Sequence, residues 1–340
     1  MGLLSACRTF GRLHAAKRDF DRAKREHPLT YLFWETTLGC NLACRHCGSR
    51  CSPEQARQDD LPGAEVRRIF REVAEDFDPR KITIAVTGGE PLVRKGCVDF
   101  IARLAALEGV DDLSLTTNGL LLPRFAAALR DAGLRRVNVS IDSLRADRYA
   151  SVTRGGSLAD ALAGVEAAFS AGFSPVKVNA VLLSGVEDEV DAFLDLTRER
   201  EVHVRFIEYM PLDRRLTPDG EFVPAPLVLE RLLARHSLAP VDGPFGLGPA
   251  RYYRAPGARG TIGFIAGVSD HFCADCNRLR VTADGRLRTC LFSGAETDLR
   301  PLIGDGPALA AAIAAAIAGK TFDRRVEQHA NGRGMSQIGG

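Results

Sequence analysis

The sequence has almost no net charge. Its 45 Lys and Arg against 43 Asp and Glu leave +2, so no global polyelectrolyte argument points to nucleic acid, and any anionic ligand must be met locally. No apolar run is long enough to span a membrane, since the longest, the Ala-rich stretch from Pro307 to Gly319, falls well short of the ~20 residues required. The opening Met1 to Cys7 lacks the basic and apolar segments that precede a lipidated cysteine, and the first thirty residues form no convincing secretory signal. There is one Trp and there are three Met. What is present, 45% hydrophobic and 26% charged residues, is ordinary for a globular protein and argues against disorder, fibres or coiled coil. A chain of 340 residues has room for one large α/β domain or two smaller ones.

Against that plain background stand nine cysteines. An odd, uneven set fits poorly with a disulfide framework, and we expect a reducing cytoplasmic setting. The thiols therefore need another role.

Residues 8–26 are basic and helix-permissive, and read as a solvated surface helix turning Phe10, Leu13 and Phe20 inward. From Tyr31 the pattern alternates. Strands are predicted at 31–37, 81–87, 112–117, 135–141, 175–183 and 202–208, with amphipathic helices near 63–77, 97–108, 121–132, 157–171 and 187–200. Six β-α repeats predict a parallel sheet, closed or nearly closed like a barrel. The rhythm breaks near Pro211. Beyond it a helix from Pro226 to His236, strands at 251–254 and 261–266, a hairpin over 278–292 turned at Asp284-Gly285, and a helix over 307–318 predict a second, smaller region.

The first strand leads into Cys40-Asn-Leu-Ala-Cys44-Arg-His-Cys47. In parallel β/α folds the C-terminal ends of strands carry the active-site loops. Three thiolates on a short loop suit a cubane iron-sulfur cluster with one iron left open, whereas structural zinc usually takes four ligands, and Cys51 stands ready as a fourth. The second strand runs into Thr87-Gly88-Gly89-Glu90-Pro91, where glycines allow close backbone approach and Glu90 offers a carboxylate. Together the two motifs resemble the radical S-adenosylmethionine (SAM) superfamily. The resemblance implies an open iron that binds SAM and reductive formation of a 5′-deoxyadenosyl radical.

Downstream, Cys273 and Cys276 open the hairpin and Cys290 lies on its return. This C-x2-C-x13-C pattern fits a second open-iron cluster, with a zinc ribbon using His271 as the alternative. Arg278 and Arg280 alternate with Leu279 and share a strand face beside it, which suits a phosphorylated, planar substrate.

From TGGEPLVRK (87–95) through LTTNGLLL (115–122), AGLRRVNVSID (132–142), PVKVNAV (175–181), VRFIEYMP (204–211), GTIGFI (260–265) and FCADCNRLRVTADGRLRTCLF (272–292) to the terminal Gly-Gly, the chain resembles the GTP 3′,8-cyclase family of molybdenum-cofactor biosynthesis. The resemblance implies an α/β fold, a partial (βα)6 radical SAM barrel with a smaller C-terminal α+β region carrying the second cluster. It divides the chain into a basic segment (1–30), the barrel core (31–210), the second-cluster region (211–325) and a flexible tail (326–340). It further implies two 4Fe-4S clusters, on Cys40, Cys44 and Cys47 and on Cys273, Cys276 and Cys290. SAM would be contacted by Gly89, Ser140 and Met210, with Glu90 nearby, and GTP by Thr116, Lys177, Arg278, Leu279 and Arg280. Arg205, Gly339 and Gly340 would assist catalysis. Without the family, Lys177 reads rather as a strand residue snorkelling from the sheet. The implied partners are GTP as substrate, an electron donor such as flavodoxin or ferredoxin, the downstream cyclic pyranopterin monophosphate synthase and a second copy of the chain in a homodimer, with neither membrane nor nucleic acid.

The N-terminal third departs from that pattern. The family carries GTP-contacting arginines seven residues before the first cysteine and two residues before the Thr of Thr-Gly-Gly, where this chain has Phe33 and Ala85. Residues 31–51 resemble instead radical SAM enzymes that modify ribosomal peptides, with His46 where the cyclases usually have Tyr and with Cys51 extra. Two missing charge-assisted contacts are worth ~1.5–3 kcal/mol each.

Overall fold

A computed structural model describes residues 31–47, 51–55, 60–76, 82–210, 222–244, 248–270, 272, 273, 276, 278–320 and 322. The expected basic helix of residues 8–26, Cys7, His271 and the tail with Gly339 and Gly340 lie outside the described residues.

The six predicted β-α strands are all present: β1 (Tyr31–Glu35), β2 (Ile82–Thr87), β3 (Val110–Thr117), β4 (Arg136–Ser140), β5 (Val176–Leu182) and β6 (Val202–Glu208). They pair in parallel in chain order. The helices between them are α1 (Gly63–Asp76), α2 (Cys97–Ala105), α3 (Leu122–Asp131), α4 (Ala146–Thr153), α5 (Leu158–Ser170) and α6 (Val190–Glu199). The sequence pattern gives no expectation of α4, a short helix whose C-cap Arg154 sits at φ 57° just before Gly155. Local caps fix other ends: Ser157 accepts the Asp160 amide at 3.2 Å to open α5, which satisfies a first-turn donor.

After residue 210 come α7 (Ala225–Arg235), β7 (Ala239–Val241), β8 (Arg251–Arg254), β9 (Thr261–Ile265), β10 (Arg278–Val281), β11 (Arg286–Arg288), β12 (Thr297–Asp298) and α8 (Gly306–Ala318). These strands extend both edges of the first sheet. β9 lies parallel to β6, β10 lies parallel to β1, and one twelve-stranded order results: β12-β11-β10-β1-β2-β3-β4-β5-β6-β9-β8-β7. Sheet pairing therefore runs straight across the break in sequence rhythm near Pro211.

The sheet curls around an interior. Arg136 on β4 lies beside Tyr31 on β1, and Arg205 on β6 beside Tyr252 on β8. Strand alternation then sorts the side chains. Leu32, Trp34, Ile84, Val86, Leu113, Leu115, Val137 and Val139 turn outward and are buried under the helices, each contributing ~1.5–3 kcal/mol. Trp34 anchors this layer, its ring 4.1 Å from that of Phe100 and 6.0 Å from that of Phe70. Cys97, at the start of α2, is part of the same apolar layer. The other set of side chains faces inward and is largely polar.

Candidate active site

The first cysteine loop is clamped by main chain. The Gly89 amide donates to the Thr37 carbonyl at 2.7 Å, the Glu90 amide to the Gly39 carbonyl at 2.9 Å, and the Cys40 amide to the Ser52 carbonyl at 3.1 Å. A Cβ on Gly89 would collide with the Gly39 carbonyl, and Gly88, at φ 130°, has the Thr37 carbonyl in the same position. The close approach that the Gly-Gly pair permits is thus made by the segment leading into Cys40. Cys40, Cys44 and Cys47 are half-buried and near enough that the charge of one raises the pKa of another. Burial pushes the Cys40 thiol up to about 11, with Glu90 adding to it. Burial and then Asp142 raise Cys44 further. Cys51 is buried and hydrogen-bonded to Cys47, which together with burial raises its thiol.

Glu90 is fully buried, and burial pushes it up to about 7. It accepts from the Leu92 amide (3.1 Å), the Thr117 hydroxyl (2.9 Å) and the Asn118 amide (2.7 Å). Its carboxylate therefore ties the β2 and β3 loops together. Asn118 in turn donates to Asn41 Oδ1 at 2.7 Å, holding β3 against the cysteine loop. His46 Nε2 lies 3.3 Å from Asp142 Oδ2.

Inside the curled sheet the register lines up a polar row: Thr116, Asn138, Lys177, His203 and Thr261 occupy matched positions on five successive strands. Asn138 donates to the Thr116 hydroxyl at 3.1 Å. Burial, with Arg205 and Arg136 beside it, lowers Lys177 to about 6. One layer along, Ser140, Asn179, Arg205 and Gly263 are matched. Arg205 donates to Asn179 Oδ1 at 2.8 Å and to Asn138 Oδ1 at 2.9 Å, so its guanidinium is aimed by two amides. Met210, beyond the end of β6, packs against Gly267.

The second triplet sits on the far flank. The Arg278 guanidinium is 4.7 Å from the Phe272 ring and that of Arg280 is 4.8 Å from the Phe33 ring, both at cation-π distance. Burial works to raise Cys276, but Lys320, then Arg278 and Arg280, outweigh it and hold that thiol below its ordinary value. The Phe292 amide donates to Cys290 Sγ at 3.4 Å. Donors and cations directed at sulfur fit a cluster held by thiolates. Among the described residues no three His, Cys, Asp or Glu converge on a single ion; a cubane asks for no such convergence, because each thiolate binds its own iron.

Thr116, Lys177, Arg205, Arg278 and Arg280 thus face one interior, with Ser140 on the same layer as Arg205. Leu279 does not join them. Alternation turns its side chain outward into the apolar core at 2% exposure, so the contact with GTP expected of Leu279 falls to its backbone. Phe33 and Ala85 are direct register partners, and Arg280 is the partner of Phe33 on its other side. The two departures in the N-terminal third are therefore one place, and the Phe33 ring there lies against Arg280.

Residues with no motif of their own also contribute. Glu35, inward-facing on β1 at 1% exposure, has no hydrogen-bond partner among the described residues on either carboxylate oxygen. Burial pushes it up to about 8, opposed by Arg280 and Arg288. An acid two positions from Phe33 and four from Tyr31 is the one sequence signal for it. Arg288, also fully buried, donates through Nε to Glu296 at 2.7 Å.

Comparison with known proteins agrees with this geometry. Residues 34–197 match the model of the radical SAM superfamily, and residues 202–328 match that of Molybdenum Cofactor Synthesis C. A GTP 3′,8-cyclase from Pelotomaculum thermopropionicum is 46% identical over 332 residues, covering 94% of this chain and 99% of the relative. One from Geobacter sulfurreducens is 48% identical over 277 residues, covering 81% and 84%. Among solved structures, Streptococcus suis SuiB bound to S-adenosylmethionine superposes with a TM-score of 0.57 at 15% identity, over 82% of this chain and 66% of that one, which shows a shared fold. With a radical SAM core, a cyclase-type C-terminal region and close identity along nearly its whole length, this chain belongs to the GTP 3′,8-cyclase family.

Proposed function

We propose that the chain converts GTP to 3′,8-cyclo-7,8-dihydro-GTP, the first step of molybdenum-cofactor biosynthesis. The observation that carries this reading is the cationic interior, where Lys177, Arg205, Arg278 and Arg280 face a lumen flanked by two cysteine triplets. SAM and the first cluster, held by Cys40, Cys44 and Cys47, would supply a 5′-deoxyadenosyl radical able to take the ribose 3′ hydrogen, and forming the C3′–C8 bond of the dihydro product would consume one further electron, from the electron donor, and one proton.

The residues of this chain bind and orient. Cys40, Cys44 and Cys47 hold the SAM cluster, and Gly88 and Gly89 fix that loop. Gly89, Ser140 and Met210 contact SAM, with Glu90 buttressing the loops around it. Cys273, Cys276 and Cys290 hold a second 4Fe-4S cluster that receives the guanine. Lys177, Arg278 and Arg280 engage the triphosphate by charge-assisted hydrogen bonds, beside Thr116 on the same polar row. Arg205, aimed by Asn138 and Asn179, lines the reacting end, and Gly339 and Gly340 assist catalysis. In this reading flavodoxin or ferredoxin delivers electrons, the product passes to cyclic pyranopterin monophosphate synthase, and the chain acts as a cytoplasmic homodimer. Among the described residues no helix is long and apolar enough to cross a membrane.

The deciding assay incubates anaerobically reconstituted protein with GTP, SAM and a reductant. The expected result is 5′-deoxyadenosine together with a GTP-dependent cyclised nucleotide. SAM cleavage without that nucleotide would favour a peptide substrate, the reading supported by residues 31–51 and by Phe33 and Ala85 in place of the two arginines.

A further inference from the structure

Lys320 follows α8 directly and is 7% exposed. Its Nζ lies 3.3 Å from Cys276 Sγ, 2.8 Å from the Arg278 carbonyl and 2.7 Å from the Thr289 carbonyl, and 5.4 Å from the centre of the Phe322 ring. All three partners are acceptors. An ammonium has three N–H donors and no acceptor, so this set matches the charged form. The three contacts also span the hairpin, joining the entry to β10 with the residue before Cys290. The Arg278 and Arg280 side chains instead stack on Phe272 and Phe33 and face the lumen, while the Arg278 amide donates to Cys276.

We propose that Lys320 is a positioning residue of the second cluster, whose ammonium hydrogen-bonds the Cys276 thiolate and makes that cluster easier to reduce. The inference rests on the reading that Cys273, Cys276 and Cys290 hold a 4Fe-4S cluster. Hydrogen bonds to ligand sulfur and nearby positive charge offset the negative charge that a cluster gains on reduction, and both favour the reduced state. The same withdrawal of charge makes the open iron a better acceptor for a substrate nitrogen or oxygen.

The test compares the full-length wild type, Lys320→Met and Lys320→Arg after anaerobic reconstitution. Iron per chain is counted, and a dithionite titration is followed by electron paramagnetic resonance, the second-cluster signal being the one that Cys290→Ala removes. In Lys320→Met, with about eight irons retained, the reduced-to-oxidised ratio of the second cluster at a fixed potential should fall roughly tenfold, ~59 mV for one electron. The first-cluster signal should not move, and Lys320→Arg should recover most of the shift. An unmoved second-cluster midpoint at full iron content overturns the role of Lys320. If Lys320→Met fails to hold the second cluster, Lys320→Arg decides. Retention of iron and midpoint by Arg supports the proposal, and equal loss in both variants reduces Lys320 to packing and overturns it. A wild type with about four irons overturns the second-cluster reading itself, a result distinct from an unmoved midpoint.

Discussion

The two cysteine triplets have the same number of thiols and opposite surroundings. The first is fixed by glycine backbone and main-chain hydrogen bonds, and the charges named around it are acidic: Glu90 near Cys40 and Asp142 near Cys44. The second is surrounded by cations, with Lys320, Arg278 and Arg280 acting on Cys276. Negative surroundings disfavour adding an electron to a cluster and positive ones favour it. On the proposed two-cluster reading, the cations around Cys276 make the second cluster the easier of the two to reduce. The difference lies in the second layer of residues rather than in the ligands.

The largest test of this contrast separates the ends outright. Cys44→Ala should abolish 5′-deoxyadenosine formation. Cys290→Ala should leave SAM cleavage in place, lose about half of the iron and stop formation of cyclised nucleotide. If Cys290→Ala also stops SAM cleavage, the ends are not independent. Next in size, Gly89→Ala should perturb only the first end, because the added methyl meets the Gly39 carbonyl. Overpacking of this kind costs ~1–3 kcal/mol, and we expect a lower unfolding midpoint and loss of the first-cluster signal with the second retained.

A smaller effect lies between the two ends. Lys177 is lowered to about 6 by burial and by its cationic neighbours, whereas a bound triphosphate favours its charged form. Binding then takes up a proton, so GTP affinity should rise as pH falls from the ordinary lysine range toward about 6 and level off below it. Lys177→Met should remove that component of the pH profile, at a cost of about tenfold in affinity near pH 6, seen by calorimetry. Without GTP the sign reverses. The unfolded chain binds the proton between pH 6 and the ordinary lysine value and the folded chain does not, so the native Lys destabilises most at low pH. Lys177→Met should therefore raise the melting temperature most at pH 6 and below.

Much of the barrel was legible because its signals are local. Each of β1 to β6 carries a run of β-branched or aromatic residues bounded by turn residues, and the observed strands lie within a residue or two of the predicted ones. Cysteine spacing and the Gly-Gly-Glu motif were likewise readable over a few residues. What escaped is long-range. Nothing local in RLRV (278–281) says that it pairs with YLFW (31–34), and the break in sequence rhythm near Pro211 looks like a boundary although the sheet crosses it. Lys320 lies 44 positions from Cys276 in a segment with no motif. Glu35 reads as one polar residue in an apolar run until the fold seals it away from water. The helix at Ala146–Thr153 is short and rich in Ser, Thr, Val and Tyr, so its propensity is weak and packing must decide it.

The pairing of β1 with β10 sets an order on the making of the molecule. Tyr31 leaves the ribosome 247 residues ahead of its partner Arg278. Until then β1 presents an open edge of unsatisfied amides and carbonyls, the kind of edge that recruits strands from other chains. The hairpin of β10 and β11 brings both the missing neighbour of β1 and the second cysteine triplet. Completion of the sheet and readiness for the second cluster therefore arrive together, and a nascent chain that stalls before residue 278 is left with an aggregation-prone edge as well as an incomplete site.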